Sequence, residues 1–515
     1  MIDLPLSPTR DEFLALAARG DANLFPVSAE LMADCDTPVA AFQKLLDDDA
    51  GGDDCLFLLE SAENSEEIGR YSFLGSRPAA VFESRGERVT ITEHGHAPRE
   101  FAPADGDPFR ELERFLSRYR PVPAADAGGG SAAPFTGGAV GFLGYDAVRF
   151  FEKTVPAPPP DELGLPDLLY LVTDTLVVFD HRFRRLRVLV NVFTEGRDPG
   201  AAYDEARARL GRLVRRLRAP SHLRPGLVYP ELPPSPVPAC NTTRAEYETA
   251  VSRGQEYIRA GDVFQFVPSQ RFSTPYEGDA LSLYRALRFI NPSPYMFVFR
   301  FGNRFSLVGS SPEIHVRALD GTVEIRPIAG TRRRGTSPAK DQAQAESLLA
   351  DPKERAEHLM LVDLARNDVG RIAQYGSVRV TDFMTVERYS HVMHLVSNVV
   401  GRLRAGQNAF DVMRATFPAG TVSGSPKVRA MQIINELEKS KRGAYAGAVG
   451  YFGFDGNLDS CITLRSVVLK DGQAYVQAGA GVVADSTPAG EYEETVNKAL
   501  GMMRAIELAR HIGDV

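Results

Sequence analysis

Short β-rich runs joined by tight turns constrain this chain more than any other feature. At Phe301-Gly-Asn-Arg-Phe305 and Lys470-Asp-Gly-Gln473, turn residues sit between apolar runs at hairpin spacing, so neighbouring strands pair antiparallel. A doubly wound parallel sheet, which needs a helical crossover between its strands, is disfavoured. Comparable runs recur at 55–59, 71–74, 88–92, 169–179 and 186–193, then at 297–300, 306–310, 323–327, 447–454, 464–470 and 474–478. Helical patterns fall between them at 108–119, 200–217, 343–374 and 491–509. The expectation is an α+β chain of antiparallel sheets flanked by helices.

A length of 515 residues exceeds what one core holds and suggests several domain-sized units. The Pro-rich passage 230–238 is the best joint, because Thr243-Arg-Ala-Glu246 follows it as a capping box that opens a helix to about Arg259. This divides the chain into 1–238 and 239–515. Segments 121–134 and 156–160 read as surface loops. Acids (67) and bases (59) are interspersed, and the net charge of -8 leaves no basic stripe for a nucleic acid. The N-terminus lacks a basic leader, and no stretch reaches the roughly 18 apolar residues of a membrane span. A cytoplasmic protein is expected, with its four cysteines (35, 55, 240 and 461) reduced.

The chemical signals concentrate after residue 300. Gly420 to Lys427 resembles a phosphate loop, but Gly424 is followed by Ser425-Pro426 rather than by Lys and Ser or Thr, which rules out a nucleoside triphosphate. What remains is a turn before a helix starting near Pro426, whose N-terminus suits an anion such as a carboxylate. Gly479-Ala-Gly481 follows a strand, yet the next helix starts too late for a dinucleotide fingerprint. Either a tight bend or close backbone approach to a ligand explains it. Glu354 and Glu357 share a helix face with Leu361 and Leu364, and Glu491 and Glu494 repeat that spacing. Solvated carboxylates explain either pair, whereas both pairs together suit a hard divalent cation. His394 sits in the apolar run Val392-Met-His-Leu-Val396, as a core histidine often does, and His358 and His391 have the same ordinary reading.

Taken in order, Pro327-Ile-Ala-Gly-Thr-Arg332, Glu357-His-Leu-Met360, His394, Gly420 to Lys427 and Gln477-Ala-Gly-Ala-Gly481 resemble the chorismate-utilising enzymes. That family includes anthranilate, aminodeoxychorismate, isochorismate and salicylate synthases, and the chain is most similar to the large subunits of anthranilate synthases. The likeness runs from about 240 onward and reaches the first half through Leu58-Leu-Glu-Ser61 and Arg70-Tyr-Ser-Phe73. It implies the family's fold, antiparallel sheets packed as a sandwich with helices on the outer faces. It also implies magnesium held by Glu357 and Glu494, with Glu354 and Glu491 in the outer shell. By the same resemblance Tyr445, Arg465, Gly479 and Gly481 grip the enolpyruvyl carboxylate, and Thr331, Thr421, Ser423 and Gly424 line the ring. Glu313 protonates the departing 4-hydroxyl, and His394 serves pyruvate loss. Gln265 stands where water-using members carry a lysine base, and Ala329 where aminodeoxychorismate synthases often carry a nucleophilic lysine.

The implied reaction adds ammonia to chorismate and eliminates pyruvate to give anthranilate. No glutaminase signature precedes Val515, so a separate glutamine amidotransferase subunit is expected as partner. Glu60, Ser61, Pro294, Tyr295, Met296, Val449 and Tyr451 match the family's pocket for tryptophan as feedback inhibitor. An isochorismate or aminodeoxychorismate synthase is the alternative reading. A non-catalytic tryptophan sensor is more distant, since it predicts lost acids where Glu313, Glu357, His394, Arg465 and Glu494 are all present.

Overall fold

The computed structural model describes residues 4–48, 52–61, 69–123, 133–226, 238–389 and 392–512. An eleven-stranded sheet and a twelve-stranded sheet face one another, and their named strands pair antiparallel. The layer between them is aromatic. Along Tyr295–Phe301, the side chains of Phe297, Phe299 and Phe301 enter it, while Met296 and Val298 pack on the opposite side. That alternation is the strand's period of two, and it gives each sheet one inner and one outer apolar face. Helices Pro199–Leu217, Ala280–Ile290 and Pro488–Ile512 cover the outside of the first sheet. Pro108–Ser117, Pro352–Ile372 and Ala409–Thr416 cover the second. The fold is the expected sandwich with outer helices.

The joint at 230–238 lies outside the described residues apart from Pro238, as does most of 121–134. Residue 238 does not separate the sheets. Cys55–Glu60 pairs with Tyr295–Phe301 in one sheet, and Gly138–Leu143 pairs with Ala448–Gly453 in the other. The two halves of the sequence are therefore hydrogen-bonded into common layers.

Two elements depart from expectation. The run 169–179 is two strands, Leu168–Thr173 and Thr175–Asp180, which belong to different sheets. Asp174 between them is fixed by Arg209 at 2.8 Å, and the chain crosses the sandwich there. The single helix over 343–374 is two helices, Pro338–Ala350 and Pro352–Ile372. Asp351 caps the second through the N–H groups of Lys353 and Glu354, and Pro352 occupies its first turn. Proline cannot continue the preceding helix because it has no N–H to donate. The capping box at Thr243 and Glu246 forms as expected, opening Arg244–Arg259.

Candidate active site

Strand ends from both sheets, together with helices Pro352–Ile372 and Pro488–Ile512, enclose a cavity of about 300 Å³. Gln265, Glu313, Ala329, Thr331, Glu357, His394, Thr421, Tyr445, Arg465, Gly479, Gly481 and Glu494 all line it. Residues spread over more than two hundred positions thus meet in one place.

Glu313 follows strand Phe305–Ser311, and its carbonyl accepts the N–H of Ile462 at 3.0 Å. Burial pushes its carboxyl up to about 7, although Thr421, Arg465 and Lys498 each favour the charged form. Thr421 Oγ1 faces it without completing a hydrogen bond. Of the two positive charges that act on Glu313, Arg465 has the larger effect. Its backbone takes a left-handed φ of +47°, a conformation costly for a side chain with a Cβ and retained where function requires it. Protein surrounds the guanidinium, and burial lowers its pKa; its exposed surface faces the cavity.

His394 Nδ1 lies 2.8 Å from the Gly330 carbonyl and 3.2 Å from Thr331 Oγ1. A carbonyl only accepts, so Nδ1 carries the proton and Nε2 keeps its lone pair. Burial lowers the pKa of this ring, which keeps it neutral and basic. The glycines are spatial necessities. A Cβ on Gly479 would lie 2.8 Å from Tyr445 Oη, and one on Gly481 would lie 2.6 Å from Gln265 Nε2.

Glu357 and Glu494 line the cavity rim, with Glu354 close enough to act on Glu357 and Glu491 close enough to feel Glu494. Glu354 pairs with Arg332 at 2.9 Å and Glu494 with Lys498 at 2.7 Å. Burial raises the pKa of Glu357, and so do the neighbouring charges of Glu354 and Glu494. Glu491 is raised by burial and by Glu494, and its Oε2 is buried without a partner. Among the described residues no three metal-type side chains converge on one point. Magnesium needs only one or two protein carboxylates beside water and substrate oxygens. The crowded anionic rim and the orphaned Glu491 oxygen fit such a cation.

Ser423 and Gly424 do not line the cavity. Ser423 accepts the Val267 N–H at 3.0 Å, and Gly424 pairs with Phe266, so together they hold the Gln265–Val267 wall from behind. The N-terminus of Lys427–Leu437 is likewise not a lining element, because Lys427 Nζ is turned to Asp368 at 2.8 Å. His358 is a core residue bonded to Ser397 at 2.7 Å, and His391 lies outside the described residues. Sequence reasoning missed Lys498, which lines the cavity and donates to the Gly479 carbonyl at 2.9 Å. Its spacing of four from Glu494 was the available signal.

A second cavity of about 210 Å³ opens between the sheets, lined by Glu60, Ser61, Pro294, Tyr295, Met296, Val449 and Tyr451. Glu60 Oε1 accepts from Tyr284 Oη and Arg288 Nε, each at 2.6 Å. Tyr295 donates to Asp459 at 2.9 Å and accepts from Arg317 at 3.1 Å. Tyr451 stacks on Phe135 with centroids 4.3 Å apart, and its hydroxyl is buried without a partner. Arg317 and Asp459 complete the polar floor of this cavity and gave no sequence signal. The two cavities are neighbours in hydrogen-bond register. Tyr295 pairs with Ser311, two residues before Glu313. Helix Ala280–Ile290, which holds Glu60, leads into Asn291, whose Oδ1 lies 3.4 Å from Arg465 Nη1.

The fold and this lining define a class. A family model for chorismate binding enzymes matches residues 54–504, and the chain belongs to that family. At finer grain it is 48% identical over 504 residues to "Anthranilate synthase component 1" of Pseudomonas putida, covering 97% of this chain and 98% of the relative. Anthranilate synthase component I from Streptococcus pneumoniae superposes with a TM-score of 0.73 at 37% identity, over 86% of this chain and 93% of that one. The menaquinone-specific isochorismate synthase of Escherichia coli shares the fold, with a TM-score of 0.69 at 18% identity over 96% and 99% of the two chains.

Proposed function

We propose that this enzyme is the chorismate-using subunit of an anthranilate synthase, converting chorismate and ammonia to anthranilate and pyruvate. One observation carries the choice among the family's activities. Gln265 and Ala329 face the cavity where related enzymes place lysines, and the lysine among the lining residues, Lys498, is tied to Glu494 and to the Gly479 carbonyl. Ammonia therefore meets no lysine poised to activate water or to attack the ring.

Arg465, Tyr445 and the backbone at Gly479 and Gly481 bind and orient the enolpyruvyl carboxylate, and Thr331 and Thr421 flank the ring. Protonated Glu313 gives its proton to the C4 hydroxyl, which departs as water while ammonia bonds to C2. His394 Nε2 then takes the C2 proton as the C3–O bond breaks, and the enolpyruvate that departs takes up a proton at its methylene carbon to become pyruvate. Glu357 and Glu494 would hold magnesium, with Glu354 and Glu491 orienting them, and the bound cation would neutralise the ring carboxylate.

The second cavity is read as a site for tryptophan, a feedback inhibitor, with Tyr295, Met296 and Tyr451 against the indole. Glu60 offers its remaining oxygen to the amino group. Ammonia is read as coming from glutamine through a separate amidotransferase subunit. No helix of the described residues is long and apolar enough to cross a membrane. Anthranilate fluorescence, followed with chorismate, magnesium and ammonium, tests the reading. Anthranilate that forms with ammonium and stops with a chelator or with tryptophan supports it. Chorismate consumed without fluorescence moves the assignment to isochorismate or aminodeoxychorismate synthesis.

A further inference from the structure

We propose that the buried Arg442–Glu438 pair is a positioning element that holds three walls of the catalytic cavity in register. The inference rests on reading that cavity as a chorismate site. The Arg442 side chain is 1% exposed and that of Glu438 is 8% exposed, and neither lines the cavity. Every group they bind nevertheless belongs to a wall or abuts one.

Arg442 Nη1 donates to the Val422 carbonyl at 2.9 Å, beside Thr421. Nη2 donates to the Val267 carbonyl at 2.5 Å, two residues from Gln265. Nε and Nη2 also reach Glu438, at 2.9 and 2.6 Å. Glu438 Oε1 in turn accepts the N–H and the hydroxyl of Ser269, both at 2.8 Å. Ser269 is the register partner of Gly479. The guanidinium also lies over the Tyr145 ring at 4.4 Å and within 5.7 Å of the Tyr445 ring. One planar fork thus ties the Gln265 wall, the Thr421 turn and the Tyr445–Gly479 corner together.

Arginine is required because its fixed geometry serves two carbonyls and a carboxylate at once, whereas an ammonium is a point donor on a flexible stem. The walls it joins come from separate elements, Gln265–Phe266, Gly420–Val422 and Gln473–Gly479. Main-chain bonds join Phe266 to Gly424 and to Val482, and Ser269 to Gly479, and the Arg442–Glu438 pair adds a side-chain tie that reaches all three walls.

The test is steady-state kinetics of the full chain carrying Arg442→Lys or Glu438→Gln, with thermal unfolding and tryptophan titration in parallel. Arg442→Lys is expected to raise the KM for chorismate at least about tenfold and to lower kcat less. The KM for ammonium and the tryptophan affinity should not change. Glu438→Gln keeps the fork and an acceptor oxygen, and is expected to raise the chorismate KM about threefold. Folded variants whose chorismate KM matches the wild type overturn the proposal, as does a loss shared equally by tryptophan affinity. If Arg442→Lys does not fold, Glu438→Gln decides alone by the same criterion. A wild-type chain that leaves chorismate untouched overturns the functional reading instead.

Discussion

The two cavities of the sandwich treat charge in opposite ways. In the catalytic cavity Glu313 is held near neutrality by burial, Glu357 and Glu491 crowd other carboxylates, and Arg465 sits on a strained backbone. In the second cavity each charge is already answered, Glu60 by Tyr284 and Arg288, and Asp459 by Tyr295 and Arg317. A site that performs chemistry keeps groups uncompensated so that substrate completes them. A site that only recognises a ligand can neutralise its own charges and present aromatic area.

The sharpest way to break this contrast is Glu313→Gln. Loss of the general acid should cost about 1,000-fold in kcat, with tryptophan binding unchanged. The ligand's own indole reports that binding, since the chain contains no tryptophan. The same change should stabilise the fold by up to about 3 kcal/mol at pH 8. The sign follows from a carboxyl raised from 4.5 to about 7. Its contribution to stability is present below pH 4.5 and is lost as pH rises through about 7. For the same reason, the wild-type step that needs protonated Glu313 should slow above about pH 7. A rate flat from pH 6 to pH 9 would exclude Glu313 as the acid.

Arg465→Lys keeps the charge but loses the fork, and about 100-fold in kcat/KM for chorismate should follow, mostly in KM. Gly481→Ala drives a methyl toward Gln265 Nε2 and should cost about tenfold in the same constant, with the melting temperature unchanged. On the other side of the contrast, Glu60→Gln should weaken tryptophan inhibition about tenfold while uninhibited turnover stays at the wild-type rate. The smallest effect is expected at Tyr451→Phe, within about threefold in tryptophan affinity, because its hydroxyl has no partner to lose. A larger loss there would show that the hydroxyl bonds the ligand.

Much of this was legible in one dimension. Hairpin spacing announced antiparallel sheets, and the capping box at Thr243 marked a helix start because both of its hydrogen bonds are local. The candidate site residues were found by motif; most of the catalytic set line one cavity and those matched to the tryptophan pocket line another. Harder to read were features set by partners distant in sequence. The run 169–179 is apolar in both halves because both are buried, and the Thr173-Asp174-Thr175 break between them does not show that they enter different sheets. Ser423 and Gly424 carry a site motif, yet their bonds run to Phe266 and Val267. Arg442 resembles any basic residue in a polar turn until Val267 and Val422 close around it.

The sequence by itself determined which residue types the chemistry has at its disposal and the local elements that carry them, because turn, cap and strand periodicity act within a few residues. Only the tertiary structure decided that Glu313 is an acid near neutrality, that Gly479 and Gly481 must lack a Cβ, and that Glu60 already has partners. Burial, clearance and pairing arise between segments up to several hundred residues apart, and they exist only once the two sheets have closed on each other.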